Sequence, residues 1–221
     1  MPFARVAINP MEPRAAIGEY DRFEDRYTLH SGNQFPHDLR SWLAQSVLKV
    51  PESKLRIISP DMGGSFGLRS NCFPELTLVM WAAKQLERPV KWVNERSEGI
   101  LEEHARDFAM TVELALAEDG TFLGLRVLKR ASVGAYLNNF GPLPAIGNLG
   151  GIAGVYKTPA IHAEITGVFT NSAPTSPYRG AGRPEATLAI EQVIDRAARE
   201  MEINRIELRR RNIIPPDSMP Y

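Results

Sequence analysis

The segment Asp61-Met62-Gly63-Gly64-Ser65-Phe66-Gly67 separates an apolar run at residues 55–59, which predicts a strand, from a run at residues 74–86, which predicts a helix. Three glycines in five positions permit positive φ angles and a close approach to a bulky group. A turn between a strand and a helix also leaves N–H groups unpaired at the helix start, where a phosphate or an oxyanion can bind. Phe66 in such a turn indicates a pocket or ligand that receives its ring. An ordinary tight turn with Phe66 folded into the core is the alternative.

Composition excludes several classes of protein. The 221 residues are 43% hydrophobic and 24% charged, which is typical of a globular chain with one large domain or two small ones. Lys plus Arg and Asp plus Glu balance at 26 each, which argues against a nucleic-acid partner. The single cysteine, Cys72, excludes an internal disulfide and an iron–sulfur cluster held by this chain alone. No run has membrane-spanning length and no signal-peptide core is visible, so a cytoplasmic location is expected.

Residue spacing predicts a mixture of strands and helices. Strands are predicted at residues 15–20, 26–30, 54–59, 90–94, 108–117, 122–131 and 161–170. Helices are predicted at residues 37–50, 74–86, 184–201 and 203–211. The helix at 74–86 is apolar almost all round and is expected to be buried. Residues 132–157 are interpreted as a long ordered loop or short helices. The predicted fold class is α+β, with mixed or antiparallel strands and packed helices.

Three loops that follow predicted strands carry the candidate binding residues: Gln34-Phe35-Pro36, the glycine turn, and residues 176–183. The last loop places Arg179 and Arg183 on either side of Gly180-Ala181-Gly182, directly before a predicted helix. Backbone donors beside fixed positive charge suit a phosphorylated or otherwise anionic ligand. A loop with two surface arginines is the alternative.

Several ordered motifs along almost the whole chain carry a family resemblance. The chain resembles the molybdenum-binding subunit of the molybdenum hydroxylases, the xanthine dehydrogenase and aldehyde oxidase family, and within it the large chain of aerobic carbon monoxide dehydrogenases. The matching stretches are Met11-Glu12-Pro13-Arg14, Gln34 with Pro36-His37, Pro60-Asp61-Met62-Gly63-Gly64-Ser65-Phe66-Gly67, Val90-Lys91-Trp92-Val93, Ala105-Arg106-Asp107-Phe108, Gly134-Ala135-Tyr136, Phe169-Thr170-Asn171, Tyr178-Arg179-Gly180-Ala181-Gly182-Arg183 and Glu207-Leu208-Arg209-Arg210-Arg211-Asn212.

The resemblance implies a molybdenum–molybdopterin cofactor, in the cytosine dinucleotide form, to which the protein gives no direct metal ligand. It assigns Gln34 a catalytic role, in which its amide hydrogen-bonds the apical oxo group of molybdenum. It implies that the cofactor-binding residues are Gly64, Ser65, Phe66, Gly67, Arg179 and Gly180, and that Ala181 lines the substrate pocket. It also implies an iron–sulfur small subunit with [2Fe–2S] clusters, an FAD-binding medium subunit and the remainder of the large subunit as partners.

Departures from the family pattern narrow the expected substrate. The carbon monoxide dehydrogenases have a cysteine directly after the loop arginine that bridges copper to molybdenum, whereas this chain has Gly180, so oxidation of carbon monoxide is not expected. Ala181 stands where xanthine-type enzymes have an aromatic ring, and Ser70 where they have a glutamate, which argues against a purine. The expected substrate is a small aldehyde or N-heterocycle, with water as the oxygen source. Ser65 occupies a position at which the family usually has another glycine.

Length is the largest departure. Family members are several times longer, and their general-base glutamate lies near the C-terminus, where this chain has no counterpart. Glu12, Glu75 and Glu185 lie at matched but non-catalytic positions. Residues 1–221 are therefore predicted to be one partial molybdopterin-binding domain without an internal boundary, either a fragment or part of a split subunit. A non-catalytic cofactor-binding or assembly module and a phosphate- or nucleotide-binding protein remain alternatives.

Overall fold

Two four-stranded sheets form the framework of the protein, which a computed structural model describes at residues 1–147 and 151–220. The strands are β1 (Pro2–Ala7), β2 (Ala15–Asp21), β3 (Arg26–His30), β4 (Leu55–Ile58), β5 (Val90–Val93), β6 (His104–Leu116), β7 (Phe122–Gly134) and β8 (Ile161–Phe169). The α-helices are α1 (Pro36–Ser41), α2 (Pro74–Leu86), α3 (Arg96–Glu102), α4 (Arg183–Glu200) and α5 (Arg205–Asn212).

Both sheets are mixed. The first has the order β1-β6-β7-β8, in which β1, β6 and β7 pair antiparallel and β8 adds parallel to β7. The second has the order β4-β3-β2-β5, with antiparallel pairs on both sides of β2 and a parallel pair between β3 and β4. The predicted α+β class with mixed and antiparallel strands is confirmed.

Each sheet has its own hydrophobic core. In the first, α4 presents the fully buried Ile190 and Ile194 to a cluster that includes Val127 of β7. In the second, α2 packs on β2 so closely that a Cβ at Gly18 would lie 2.4 Å from the main-chain carbon of Val79, which is why a glycine is required there. The assignment of both cores to one partial domain stays a prediction.

The structure differs from the sequence-based prediction at several elements. Strand β1 and helix α3 were not predicted, and residues 37–50 form α1 followed by a π-helical segment, Trp42–Leu48, instead of one α-helix. Helix α2 is not buried all round, because its outer face includes Trp81, of which 58% is exposed. The predicted loop at 132–157 begins three residues later, since β7 continues to Gly134, and residues 148–150 of it lie outside the described part of the chain.

The glycine turn also does not lead directly into α2. A 3₁₀ turn, Leu68–Ser70, comes first, and extended residues at Asn71 and Phe73 precede Pro74. The free amide groups at the start of α2 are therefore separated from the turn along the chain. Any binding by the turn must come from its own backbone and from its neighbours in space.

Candidate functional site

The glycine turn, residues 61–67, is held in left-handed backbone conformations. The φ angles are +109° at Gly64, +54° at Phe66 and +109° at Gly67. A Cβ built on Gly67 would lie 1.9 Å from the carbonyl oxygen of Pro177, so only glycine fits where the turn touches the loop at residues 176–183. The side chain of Phe66 is not packed into the core, since 45% of the residue is exposed. The alternative of an ordinary turn with a buried Phe66 is therefore wrong.

A buried arginine, Arg69, is linked to the glycine turn through Glu12. Arg69 is 3% exposed and donates to the Glu12 carboxylate at 2.7 Å and to the Glu12 carbonyl at 2.9 Å. The same carboxylate accepts from the amide of Gly63 at 2.7 Å, and the Glu12 amide donates back to the Gly63 carbonyl at 3.2 Å. The Met11-Glu12-Pro13-Arg14 motif thus fixes the first half of the turn.

Gln34 lies directly beside the turn. Its backbone amide donates to the carbonyl of Arg69 at 3.0 Å, and its side-chain oxygen accepts from the Ser65 hydroxyl at 2.7 Å. The side chain is exposed. Ser65 therefore occupies the side-chain oxygen of Gln34, and over residues 1–147 and 151–220 the Gln34 NH₂ group donates to no protein acceptor. The catalytic role of Gln34 stays a prediction.

The arginine loop, residues 176–183, approaches the turn from the other side. The amide of Arg179 donates to the carbonyl of Phe66 at 2.9 Å, and the Arg179 guanidinium lies 5.9 Å from the centroid of the Phe66 ring. Gly180, Ala181 and Gly182 all have positive φ angles, from +47° to +99°. This conformation turns the chain sharply into α4, leaves Arg179 and Gly180 exposed, and keeps Ala181 half-buried beside them.

The structure thus brings the three predicted loops together through the hydrogen bonds from Ser65 to Gln34 and from Arg179 to Phe66, and through the close packing of Gly67 on Pro177. Over residues 1–147 and 151–220, the amides of Ser65, Phe66 and Gly67 donate no hydrogen bond to the protein. Arg179 forms no ion pair with any carboxylate in that part of the chain. Arg183, at the end of the same loop, is exposed and likewise has no carboxylate partner in the described residues. This surface therefore offers free amide donors and two uncompensated positive charges to an anionic group, while the residue roles stay predictions.

A buried polar cluster behind these loops was missed by the sequence analysis. The Glu103 carboxylate accepts from Asn71 at 3.0 Å and from Asn138 at 2.8 Å, and Asn71 also donates to the Ser176 hydroxyl at 2.7 Å. Burial raises the pKa of Glu103 to about 7, against the opposing effect of hydrogen bonds from Ser176, Asn71 and Asn138 and of the Arg14 charge. In the sequence, Glu103 is followed by His104 and comes directly after the charged segment of α3, and no local pattern distinguishes it from a surface glutamate.

The same cluster forms one wall of a cavity of about 620 Å³. Arg14, which is buried against the ring of Phe73, lies in another wall and pairs with Glu75 and Glu102. None of the predicted site residues lines this cavity. The predicted cofactor surface and the cavity are therefore two distinct features of the molecule, joined through Asn71.

The three glutamates at matched positions are all paired with arginines. Glu12 pairs with Arg69, Glu75 with Arg14, and Glu185 with Arg106. These contacts give each carboxylate a structural partner, and the non-catalytic interpretation stays a prediction.

Thiol and metal chemistry is limited in the described residues. Burial raises the pKa of the Cys72 thiol to about 11, so Cys72 stays protonated at neutral pH. Over residues 1–147 and 151–220, no three His, Cys, Asp or Glu side chains are grouped so that they could hold a metal ion. No helix in the same residues combines the length and apolar character needed to cross a bilayer.

Comparison with known proteins gives consistent matches. The model of the molybdopterin cofactor-binding domain matches residues 1–213. The chain is 37% identical, over 95% of its length, to the nicotine 6-hydroxylase large subunit of Paenarthrobacter nicotinovorans, and covers 26% of that protein. It is 36% identical, over its full length, to the carbon monoxide dehydrogenase large chain of Hydrogenophaga pseudoflava, and covers 28% of it.

The fold agrees with the sequence comparisons. The whole chain superposes on quinoline 2-oxidoreductase from Pseudomonas putida 86 with a TM-score of 0.93 and 35% identity, and covers 28% of that chain. The protein therefore spans little more than a quarter of the length of the relatives it matches. Because the domain model and these relatives cover nearly every residue of it, the chain belongs to the molybdopterin cofactor-binding domain family.

Proposed function

We propose that this chain forms one face of the cofactor site in the large subunit of a molybdenum hydroxylase. The observation that carries the proposal is the convergence of Gln34, Phe66 and Arg179, which are distant in sequence, through the two hydrogen bonds that join their loops. The family to which the chain belongs binds the molybdopterin cofactor, and the arrangement of donors on this surface fits such a group.

The fit rests on charge and on donor chemistry. A molybdenum–pterin group with its oxo and phosphate oxygens is anionic and rich in acceptors. Among the residues that the structure describes, the turn amides of Ser65, Phe66 and Gly67 donate to no protein acceptor, and the Arg179 guanidinium has no carboxylate partner. Preorganised donors of this kind stabilise negative charge without reorganising. The cytosine dinucleotide form of the cofactor is part of the proposal and is supported by the sequence resemblance.

Each loop has a definite task in this proposal. Gln34, held by Ser65, would donate its amide NH₂ to an oxo group of the metal. The turn from Gly64 to Gly67 would hold one side of the cofactor, with the Phe66 ring against it, and Arg179 with Gly180 would hold the other. The bound cofactor would supply the two-electron oxidation of a carbon centre that is hydroxylated with oxygen from water. The residues of this chain bind and orient it, while the general base comes from elsewhere in the large subunit.

The substrate class proposed is an N-heterocycle, with an aldehyde as the alternative. The relatives named for nicotine and quinoline are 37% and 35% identical to this chain. Carbon monoxide is disfavoured although a carbon monoxide dehydrogenase is 36% identical. The residue after Arg179 is Gly180, which carries no thiol, and Cys72 lies elsewhere, half-buried and with a raised pKa. Soft copper(I) requires such a thiolate.

The partners proposed are the remainder of the large subunit, an iron–sulfur small subunit and an FAD-binding medium subunit. Relatives that are themselves named large subunit or large chain support this assembly. A cytoplasmic location is also proposed and agrees with a chain that has one cysteine and no internal disulfide.

Elemental analysis tests the proposal. The chain is co-expressed with its neighbouring genes, and the molybdenum content of the purified assembly is measured for the wild type and for Arg179→Ala. The control is Arg199→Ala, which changes an exposed arginine at the far end of α4. We expect the wild type and the control to contain molybdenum, and Arg179→Ala to contain several-fold less.

Absence of molybdenum from the wild-type assembly would refute the cofactor site. Tight binding of a simple nucleotide in such molybdenum-free material would favour the phosphate-binding alternative. Bound cofactor without turnover of any aldehyde or N-heterocycle would favour the non-catalytic module.

A further inference from the structure

Glu103 lies at the junction of α3 and β6, and only 4% of it is exposed. Its carboxylate is reached by side chains from three separate segments of the chain. Asn71 follows the glycine turn by four residues, Ser176 begins the arginine loop, and Asn138 belongs to the segment after β7. One buried acid therefore receives donors from both loops on which the proposed cofactor site depends.

We propose that Glu103 is a positioning residue that holds the glycine turn against the arginine loop and thereby sets how firmly the chain retains its cofactor. The retention half of this statement rests on the proposed function, whereas the positioning half concerns the loops alone.

The two loops are joined at two places. At the surface, the Phe66 carbonyl accepts from the Arg179 amide at 2.9 Å, and Gly67 lies against Pro177. In the interior, Asn71 donates to both Glu103 and Ser176, and the Phe140 amide donates to the Asn71 oxygen at 3.2 Å. The surface bond is open to competition by water. The interior junction is far less accessible, because Asn71, Glu103 and Ser176 are each at most 4% exposed, so it is the one that can fix the spacing of Phe66 and Arg179.

Removal of the carboxylate would orphan buried donors. The buried Asn71 amide and the half-buried Asn138 amide would each lose an acceptor, and a buried donor without an acceptor is costly. Both loops would then open more often. A neutral amide at this position retains one acceptor oxygen and adds a donor that can reach the Ser176 hydroxyl, so Glu103→Gln mimics the protonated acid.

Protonation of Glu103 gives the junction a pH dependence with a definite sign. Its pKa is raised by burial to about 7 in the closed state, and it returns toward 4.5 when the loops open and water enters. The closed state is therefore favoured below pH 4.5, and this advantage is lost as the pH rises through 7. The other charged or titratable groups that face the same cavity are Arg14, Cys72, Glu75, Glu102 and Tyr136. His104, the next residue, is turned away toward the Ile100 carbonyl and Arg5.

Hydrogen exchange of the assembled protein, expressed with its natural neighbours, tests the inference. Exchange is followed in peptides that cover residues 62–71 and 176–182, between pH 5.5 and 8, with correction for the intrinsic exchange rate. In the wild type, protection of both peptides should fall by about tenfold or more as the pH rises, because the opened state loses its proton first. Glu103→Gln should retain protection and remove the pH dependence.

Glu103→Ala should lower the protection of both peptides at every pH, by about tenfold, because its donors are orphaned. Glu113→Gln, which removes an exposed carboxylate from β6, the strand that follows Glu103, is the matched control and should behave as the wild type. If Glu103→Ala does not fold, the comparison of the wild type with Glu103→Gln decides by itself. An unchanged pH dependence in Glu103→Gln, or unchanged protection of both peptides in Glu103→Ala, overturns the positioning role.

Molybdenum content, measured on the same samples, separates the two proposals. If the wild-type assembly contains no molybdenum but Glu103→Ala still lowers the protection of both loops, the positioning role stands and the cofactor site is refuted. Loops that loosen in Glu103→Ala together with a several-fold loss of molybdenum support both. Molybdenum retained in full by Glu103→Ala despite loosened loops overturns the retention half of the inference.

Discussion

Gly67→Ala is the substitution for which the structure predicts the largest effect at the candidate site. The residue has φ of +109° and ψ of −26°, a conformation in which a side chain costs about 1–3 kcal/mol. The added Cβ would also lie 1.9 Å from the Pro177 carbonyl oxygen, so the turn and the arginine loop must separate by more than 1 Å. Overpacking of this kind costs about 1–3 kcal/mol. The sum is about 2–6 kcal/mol, a large share of the roughly 5–15 kcal/mol that stabilises a domain.

Urea denaturation of the purified chain, followed by far-UV circular dichroism, measures this loss as a lower midpoint at unchanged slope. The matched control is Gly124→Ala in β7, where the nearest atom would lie 3.5 Å from the new Cβ. An alanine in a strand interior is better than glycine, by about 0.5–1 kcal/mol, so the control should be slightly stabilised. A Gly67→Ala variant as stable as the wild type would show that the turn and the loop do not meet as described.

Three further predictions concern buried groups. Burial raises the pKa of Glu103 from 4.5 to about 7. The protonated acid therefore contributes about 3 kcal/mol to the free energy of unfolding below pH 4.5, and this contribution is lost as the pH rises through 7. Urea titrations of the wild type and Glu103→Gln over this range should diverge by that amount, and parallel curves would contradict the assignment. Burial raises the pKa of Cys72 from 9.0 to about 11, so in the folded protein at pH 8 it should react with iodoacetamide roughly a hundredfold more slowly than in the urea-unfolded protein. Mass spectrometry measures both rates, and equal rates would show that the thiol is not shielded from water. Glu12→Gln removes the charged partner of buried Arg69 and should cost about 1–3 kcal/mol in the urea midpoint, whereas Glu113→Gln on the surface should leave the midpoint in place; equal shifts would deny Glu12 its supporting role.

Local patterning predicted most of the regular elements of this fold. The alternation at residues 26–30 and the apolar run bounded by Pro74 give β3 and α2 with the observed limits. Strand β1 was missed because it lies before Pro10 and Pro13, and its pairing partner, β6, is about 100 residues away. Helix α3 was missed because its capping box uses Glu95 and not Ser or Thr at the first position.

The exposed outer face of α2 shows that an apolar composition does not by itself establish that a helix is buried. Leu78, Trp81 and Leu86 make the helix apolar on almost every side, and such a helix is expected to be buried. Within residues 1–147 and 151–220, only the face with Leu76, Val79 and Met80 has a sheet to pack against. Hydrophobicity states what a residue prefers, but the arrangement of neighbouring elements determines whether that preference is met.

The sequence by itself determined the family, the glycine turn, and the identities of Gln34, Phe66 and Arg179 as candidate residues, because turn-forming glycines and ordered motifs are local properties of the chain. Only the tertiary structure decided that Ser65 orients Gln34, that Gly67 is required by Pro177, and that Glu103 links the two loops. Those relationships depend on distances between residues 31 to 110 positions apart. Such distances follow from how two sheets and their helices pack, and no short-range pattern encodes them.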